Sequence, residues 1–189
     1  MRVDIQIQAT LNCGIVVGSL AGIRPADEQL VGYLRPIQTS VTYLSDLEPI
    51  GYKHIPFLKM DWLWQRDRNV LQGPLSSAGK QYFAKGLGMH STSRLAFQLG
   101  ETHDEFQAEI CLDESANQSG SVVFRVFTFG AEQKWQEAFK SPIVRGGEAP
   151  RAVRVPLKGA TRLALVVDFA DRGDVLDRAN WLGARVLAK

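Results

Sequence analysis

The chain has 189 residues, of which 45% are hydrophobic and 22% are charged, a balance typical of a globular protein that builds a core. The formal net charge is +2 and the lysines and arginines are scattered, so the composition gives no electrostatic case for binding nucleic acid or an anionic membrane. No apolar run approaches the roughly 18 residues that span a bilayer. We therefore expect no membrane insertion.

The first residues alternate apolar and polar side chains in the manner of a strand. Asp4, Gln6 and Gln8 interrupt the apolar core that a signal peptide requires. Either the protein is not exported or this chain lacks a leader and upstream sequence, and the strand-like beginning favours the second. Residues 1–40 are predicted to be a short β extension, or part of a preceding small β unit, and residues 41–189 to form the main domain.

Two cysteines, Cys13 and Cys111, are too few for a disulfide framework or a zinc site. Cys111 lies in a strand-like pattern with apolar neighbours, which predicts a buried free thiol. A bridge between the two cysteines cannot be judged from their spacing and stays open.

Strand patterns dominate the main domain. Phe106 to Asp113 alternates apolar and polar residues, which predicts a strand with one buried face. Val122–Phe129 is apolar on both faces and, with Arg162–Phe169, predicts central strands. Ala152–Pro156 ends in a proline, which is typical of an edge strand or a strand end. Two further segments predict strands: Leu95–Leu99 and Trp181–Leu187.

Glycine-containing turns separate these strands at short, regular intervals. This arrangement predicts an all-β fold, either a sandwich or a barrel. Two short helices are predicted, over Pro25–Val31 and Ala131–Phe139. Trp135, beside a variable loop, is a candidate for exposure.

Four carboxylates recur at every third position between Asp168 and Trp181, at a density of Asp and Gly that predicts a loop. Oxygen ligands crowded into a loop suit Ca²⁺, and Asp171, Asp174 and Asp177 are the candidate metal ligands. The spacing is not that of an EF-hand, so backbone carbonyls would have to complete the coordination shell. The alternative is an ordinary solvated acidic loop.

From about Tyr43 to Val186, several motifs in order resemble the NPCBM family, which is related to the family 51 carbohydrate-binding modules. The stretch Tyr82–Ser91 (YFAKGLGMHS) resembles the family pattern Y-x-K-G-L-G-x-H-S. Phe106–Asp113 (FQAEICLD) resembles F-x-A-x-V-G-I-D, and Gly120–Val126 (GSVVFRV) resembles G-S-V-x-F-x-V. Asp177–Trp181 (DRANW) resembles D-H-A-D-W.

The resemblance implies a jelly-roll β-sandwich of galactose-binding-like type. It also implies a non-catalytic carbohydrate-binding module, carried with other domains in a larger extracellular or periplasmic protein, with galactose-type sugars as ligands and calcium as a structural ion in some relatives. This chain departs from the family at Cys111, where a glycine is usual, and at Arg178 and Asn180, which replace the His and Asp of the last motif.

The candidate carbohydrate-binding residues come from motifs, loops and aromatic positions: Trp62, Trp64, His90, Asp113, Arg178 and Asn180. Trp62 and Trp64 share one face if their segment is extended, and could stack on a sugar ring. His90 and Asp113 could bond sugar hydroxyls, or could instead satisfy neighbouring backbone. Trp181 is predicted to be buried.

No catalytic motif supports an enzyme. The remaining alternative is a protein–protein interaction or scaffold module that has lost its sugar site, for which the substitutions Arg178 and Asn180 are the support.

Overall fold

The computed structural model describes residues 6–11, 14–19, 40–57, 59–171 and 173–188. Two compact units are present, residues 1–38 and residues 39–189. In the first unit, β1 (Gln6–Leu11) and β2 (Gly14–Ser19) form an antiparallel pair. The predicted helix over Pro25–Val31 and the residue Cys13 lie outside the described residues.

The second unit contains two larger antiparallel sheets. The strands of the first sheet are β3 (Ser40–Tyr43), β5 (Gln65–Arg66), β8 (Gly86–His90), β10 (His103–Leu112), β14 (Arg151–Pro156) and β16 (Arg178–Ala188). Their order is β14-β10-β16-β8-β5, and β3 pairs with the C-terminal part of β16. The predicted edge strand is thus confirmed as β14.

The strands of the second sheet are β4 (Gly51–His54), β9 (Ser93–Gln98), β11 (Ser121–Gly130), β12 (Trp135–Lys140), β13 (Val144–Arg145) and β15 (Ala160–Phe169). Their order is β12-β11-β15-β9-β4, with β13 also pairing with β11. Both predicted central strands, β11 and β15, are confirmed. A separate hairpin is formed by β6 (Leu75–Ser77) and β7 (Gln81–Phe83).

The core lies between the two larger sheets and is built from alternate residues of their strands. Trp181 is fully buried, as predicted, and its ring lies edge-on to Phe124 at 4.9 Å between centroids and to Phe106 at 6.1 Å. Edge-to-face geometry is one of the two arrangements that aromatic rings prefer. Since Phe124 comes from one sheet and Phe106 and Trp181 from the other, these rings join the two layers of a β-sandwich.

Two local predictions are wrong. The predicted helix over Ala131–Phe139 is a turn followed by β12, because Trp135 pairs opposite Phe129 and this cross-strand contact outweighs local helix preference. The predicted loop ends earlier than expected, since β16 begins at Arg178. Arg178 and Asn180 are therefore strand residues.

Two short 3₁₀ helices, Leu44–Asp46 and Glu114–Ala116, connect strands. Within the described part of the chain, no helix is long and apolar enough to cross a membrane.

Candidate functional site

Four segments meet at one end of the sandwich, which we call the loop end. They are the β4–β5 connection (55–64, apart from residue 58), the turn between β8 and β9, the β10–β11 connection and the β15–β16 loop (170–177, apart from residue 172). Hydrogen bonds join these segments. Ser91 in the turn bonds Asp177, and the Phe57 backbone donates to Asp174 at 3.3 Å.

Two histidines converge on one backbone carbonyl at the loop end. The Ser91 oxygen lies 2.9 Å from His90 Nδ1 and 3.1 Å from His54 Nε2. Because a carbonyl only accepts, both of these ring nitrogens carry protons. His54 Nδ1 then accepts from the Trp62 backbone N–H at 3.2 Å. Its 3.7 Å approach to Asp61 is therefore no ion pair, since the nitrogen concerned is unprotonated.

Tyr52 holds the same tryptophan from its other backbone group. Its hydroxyl donates a short hydrogen bond to the Trp62 carbonyl. Burial raises the pKa of Tyr52 to about 12, so the hydroxyl keeps its proton and acts as a donor. Both backbone polar groups of Trp62 are thus held by side chains of β4, although the residue lies in a loop.

The Trp62 ring stacks on the His90 ring, with 4.8 Å between centroids and 12° between planes. His90 is 4% exposed, and this burial lowers its pKa, so the imidazole is neutral at neutral pH. With the proton on Nδ1, Nε2 is an acceptor, and no hydrogen bond to it is found among the described residues. His90 Nε2 is not among the enclosed polar atoms that lack a partner in the described residues, so a partly exposed Trp62 ring lies beside an acceptor that a ligand can reach.

Charged groups surround this pair. Arg178 lies opposite His90 in the β8–β16 register and donates through Nη1 to the Ser115 carbonyl at 2.8 Å. Asp174 approaches from the β15–β16 loop, and the charges of both residues act on His90. Arg178 and Asp174 are each partly exposed, so a donor and an acceptor border the Trp62–His90 pair.

The three predicted calcium ligands do not converge. Asp171 pairs with Arg145 at 2.5 Å, and Asp174 accepts from the Phe57 backbone. Asp177 is fully buried and accepts from Ser91 Oγ at 2.6 Å and from the Ser121 backbone at 2.8 Å. No group of three His, Cys, Asp or Glu residues in the described chain could hold a metal ion. These three carboxylates, as placed here, do not form a Ca²⁺ site, and binding of calcium itself stays a prediction.

Asp177 is instead a buried carboxylate that ties three segments together. Burial raises its pKa to about 6, and the hydrogen bonds from Ser91 and Ser121 oppose that rise only in part. Asp177 is the last residue before β16, and its hydrogen bonds connect that point to the β8–β9 turn and to the start of β11. We assign it a structural role beneath the loop end.

Asp113 and Asn180 are buried, which corrects their interpretation as sugar ligands. They are 1% and 0% exposed, so neither can contact a sugar in this structure. Asp113 accepts from Asn180 Nδ2 at 2.8 Å, Ser76 Oγ at 2.8 Å and Asn69 Nδ2 at 3.2 Å. Burial alone would raise the pKa of Asp113, but hydrogen bonds, those from Ser115 and Asn180 first among them, hold it below its usual value.

Trp64 is partly buried. It packs against the main core, with the Arg66 guanidinium 5.5 Å from its ring centroid. Of this segment only Gln65 and Arg66 are in a strand, and among the described residues the ring contact of Trp62 is with His90 and not with Trp64. Of the six predicted sugar ligands, the structure brings together Trp62, His90 and Arg178.

Sequence analysis missed His54 and Tyr52, which position Trp62. The signal was present, since the two residues are separated by one position and so share a face of β4. Cys111 is a buried free thiol, as predicted, and burial raises its pKa to about 12.

Solved structures of family 51 carbohydrate-binding modules share this fold. A module from Clostridium perfringens ZmpB, solved with GlcNAc, matches with a TM-score of 0.67 and 25% identity, over 79% of this chain and 32% of that one. The module of C. perfringens GH95, solved with methyl-galactose, matches with a TM-score of 0.66 and 21% identity, over 78% of this chain and 99% of that one. The second likeness shows the fold alone, the predicted galactose-binding-like sandwich.

Two curated enzymes are similar in sequence. Alpha-1,3-galactosidase B of Akkermansia muciniphila is 33% identical over 61% of this chain and 14% of its own length. A Renibacterium salmoninarum protein, provisionally named an endo-alpha-N-acetylgalactosaminidase, is 28% identical over 97% of this chain and 12% of its own length. The chain thus spans about one seventh or less of the relatives it matches.

The model of the NPCBM/NEW2 domain matches residues 40–187, nearly all of the second compact unit. The motifs around His90, Asp113 and Trp181 lie inside this range, in β8, at the end of β10 and in β16. The chain belongs to the NPCBM/NEW2 domain family.

Proposed function

We propose that this chain is a non-catalytic carbohydrate-binding module of a larger protein and that it binds a galactose-type sugar at the loop end. The observation that carries the proposal is the Trp62 ring stacked on a neutral His90, with Arg178 and Asp174 at its border. The family 51 module solved with methyl-galactose and a galactosidase among the relatives support a sugar of this class, whereas the module solved with GlcNAc supports only a hexosamine in general.

Each residue has a separate part in the proposed contact. The Trp62 ring offers an apolar surface to the C–H face of a pyranose. His90 Nε2 accepts from one hydroxyl, Arg178 donates to another, and Asp174 accepts from a third. His54 and Tyr52 position Trp62 through its backbone, so the ring is held before the ligand arrives.

Affinity should be weak, with dissociation constants of roughly micromolar to millimolar, because one sugar ring buries little surface. Several modules in one parent protein would raise the overall avidity. We place catalysis, where the parent has it, outside this chain, since the matched enzymes are many times longer.

Titration calorimetry with galactose and N-acetylgalactosamine tests the proposal. Trp62→Ala should weaken binding roughly two- to twelvefold, since an aromatic contact of this kind is worth about 0.5–1.5 kcal/mol. Tyr82→Ala is the matched control, because Tyr82 is 63% exposed on the separate β6–β7 hairpin. Equal losses in both variants, or unchanged binding by Trp62→Ala, would contradict the site.

A protein partner is the second candidate, and one observation favours it. Large apolar side chains are exposed along the β4–β5 connection and on the facing loop: Ile55, Phe57, Met60, Leu63 and Val175, with exposures between 47% and 68%. Such clusters are typical of interaction surfaces. A protein partner would be favoured if a folded sample binds no neutral glycan on an array but pulls down a protein, and if Phe57→Ser abolishes that binding.

A further inference from the structure

The outer face of the second sheet carries aromatic residues that the core does not use. In β11, Val122, Phe124 and Val126 are fully buried, whereas Phe127 and Phe129 point to the opposite face and are partly exposed. This explains why the strand is apolar on both sides. Trp135 of β12 lies beside Phe129, at 5.5 Å between ring centroids, and is 42% exposed.

These residues border a groove of about 460 Å³, which we call the sheet groove. Its floor is formed by the small or buried side chains Ala96, Ala164 and Val166 from β9 and β15. Phe127 and Trp135 line the groove together with Arg94 and Arg125. The floor is therefore apolar, and the lining combines aromatic rings with cations.

A row of cations crosses the strands beside this floor. In the register of the sheet, the residues that lie opposite one another across five strands are, in order, Lys140, Arg125, Val166, Arg94 and Lys53. Four of these five positions are basic. Neighbouring strands are about 4.8 Å apart, so Lys53 and Arg94 lie one strand step apart and Lys140 lies three steps, about 14 Å, from Arg94.

The row has an excess of positive charge. Arg125 pairs with two carboxylates, Glu137 at 2.5 Å and Asp168 at 3.0 Å, so the four cations of the row outnumber these carboxylates by two. Lys53, Arg94 and Lys140 are exposed, and none of them forms an ion pair with a described residue. A ligand that carries negative charge at intervals would match these three cations.

We propose that the sheet groove is a second binding site, separate from the loop end, for an anionic oligosaccharide that lies across the strands. Its carboxylates or sulfates pair with Lys53, Arg94 and Lys140. Its ring C–H faces rest on the apolar floor and against Trp135, whose exposed indole suits sugar stacking.

The same groove suits an extended peptide less well. A peptide added to a sheet gains affinity from main-chain hydrogen bonds at an unpaired edge. The groove crosses β11, β15 and β9, which are paired on both sides, so their backbone groups are already satisfied. The occupant must therefore bind through charges and apolar faces, as an acidic sugar chain does.

The test uses the full chain and matched ligands. Galacturonate hexasaccharide and heparin hexasaccharide, which carry carboxylate and sulfate respectively, should bind, and binding should weaken as NaCl is raised. The methyl ester of the galacturonate hexasaccharide, which has lost its charges, should bind at least tenfold more weakly. A hexaglutamate peptide should bind no better than this ester.

Variants locate the site. Arg94→Ala and Lys53→Ala should each weaken binding roughly two- to fivefold, which is the range for exposed ion pairs, and the double variant roughly tenfold. Trp135→Ala should have a similar effect to the double variant. The control Arg154→Ala removes an exposed cation from β14 in the other sheet and should change affinity less than twofold.

The two sites are separable by experiment. Trp62→Ala should leave binding of the anionic hexasaccharides unchanged, and the Lys53/Arg94 double variant should leave binding of neutral galactose unchanged. The proposal is overturned if no anionic oligosaccharide binds, if the double variant binds like Arg154→Ala, or if hexaglutamate binds as tightly as the sugars. None of these results would bear on the loop end.

Discussion

Replacing Asp113 by alanine should destabilise the domain without removing a sugar contact. Its Oδ1 accepts from Asn69 Nδ2 and from the Ser115 backbone and hydroxyl at 3.2, 3.0 and 2.6 Å. Its Oδ2 accepts from the Ser76 backbone and hydroxyl and from Asn180 Nδ2 at 3.3, 2.8 and 2.8 Å. One buried carboxylate thus joins four segments of the chain.

The magnitude follows from which donors lose their only acceptor. Asn69 and Asn180 keep second acceptors, the carbonyls of Pro74 and Ser76, and Ser115 is partly exposed to water. The Ser76 N–H and hydroxyl, in a residue that is 4% exposed, are left unsatisfied. At about 1–3 kcal/mol for each such group, Asp113→Ala should lower the free energy of unfolding by about 4 kcal/mol.

Urea denaturation followed by intrinsic tryptophan fluorescence, to which the buried Trp181 contributes, measures this loss. Asp113→Asn keeps one acceptor oxygen and should cost about half as much, whereas Ser115→Ala should cost under about 1 kcal/mol. Galactose binding by the folded fraction should be unchanged. A loss under about 1 kcal/mol together with lost sugar binding would refute the structural assignment and restore Asp113 as a ligand.

Three further predictions concern pH, packing and calcium. The folded-state pKa of Asp177 is raised from 3.8 to about 6, so its contribution to stability is complete below pH 3.8 and is lost as pH rises through about 6. The free energy of unfolding should therefore decline by ~3 kcal/mol over this range in urea titrations. Asp177→Asn should remove the decline, and the exposed-site control Asp61→Asn should retain it. In Gly88→Ala the new methyl group would meet the Arg68 carbonyl oxygen at 2.4 Å, so calorimetry should show a loss of about 3 kcal/mol, against under about 1 kcal/mol for Gly51→Ala, where nothing lies within 4 Å. Because Asp171, Asp174 and Asp177 have separate partners, Tm should be the same in calcium buffer as in buffer with a chelator. A rise in Tm with calcium that Asp171→Asn abolishes would reinstate the metal site.

The candidate site was only partly predictable. His90 was found because it lies in a motif, and Trp62 because exposed-looking aromatics draw attention in a loop. The stack between them could not be read from the sequence, since it depends on a β4–β5 connection that folds over the end of β8. His54 and Tyr52, which hold that connection, are separated from the Ser91 carbonyl and the Trp62 backbone by loops of unpredictable path.

The positions of the acidic side chains could not be predicted from the sequence either. Asp171, Asp174 and Asp177 are regularly spaced, but a regular spacing does not direct three carboxylates to one point. Arg145 of β13 pairs with Asp171, whereas Ser91 of the β8–β9 turn and Ser121 of β11 hold Asp177 in the interior. Likewise, Asp113 follows a strand, where binding groups often collect, but the β6–β7 hairpin covers it through Ser76.

The sequence by itself determined the all-β class, the central places of β11 and β15 and the family, because period-two alternation and ordered motifs are local properties of the chain. Tertiary structure alone decided that Trp135 belongs to a strand, that Asp113 and Asn180 are interior, and that Trp62 meets His90. Those outcomes rest on contacts between residues far apart in sequence, such as the 67 positions between Asp113 and Asn180, whose energies exist only once both sheets are in place.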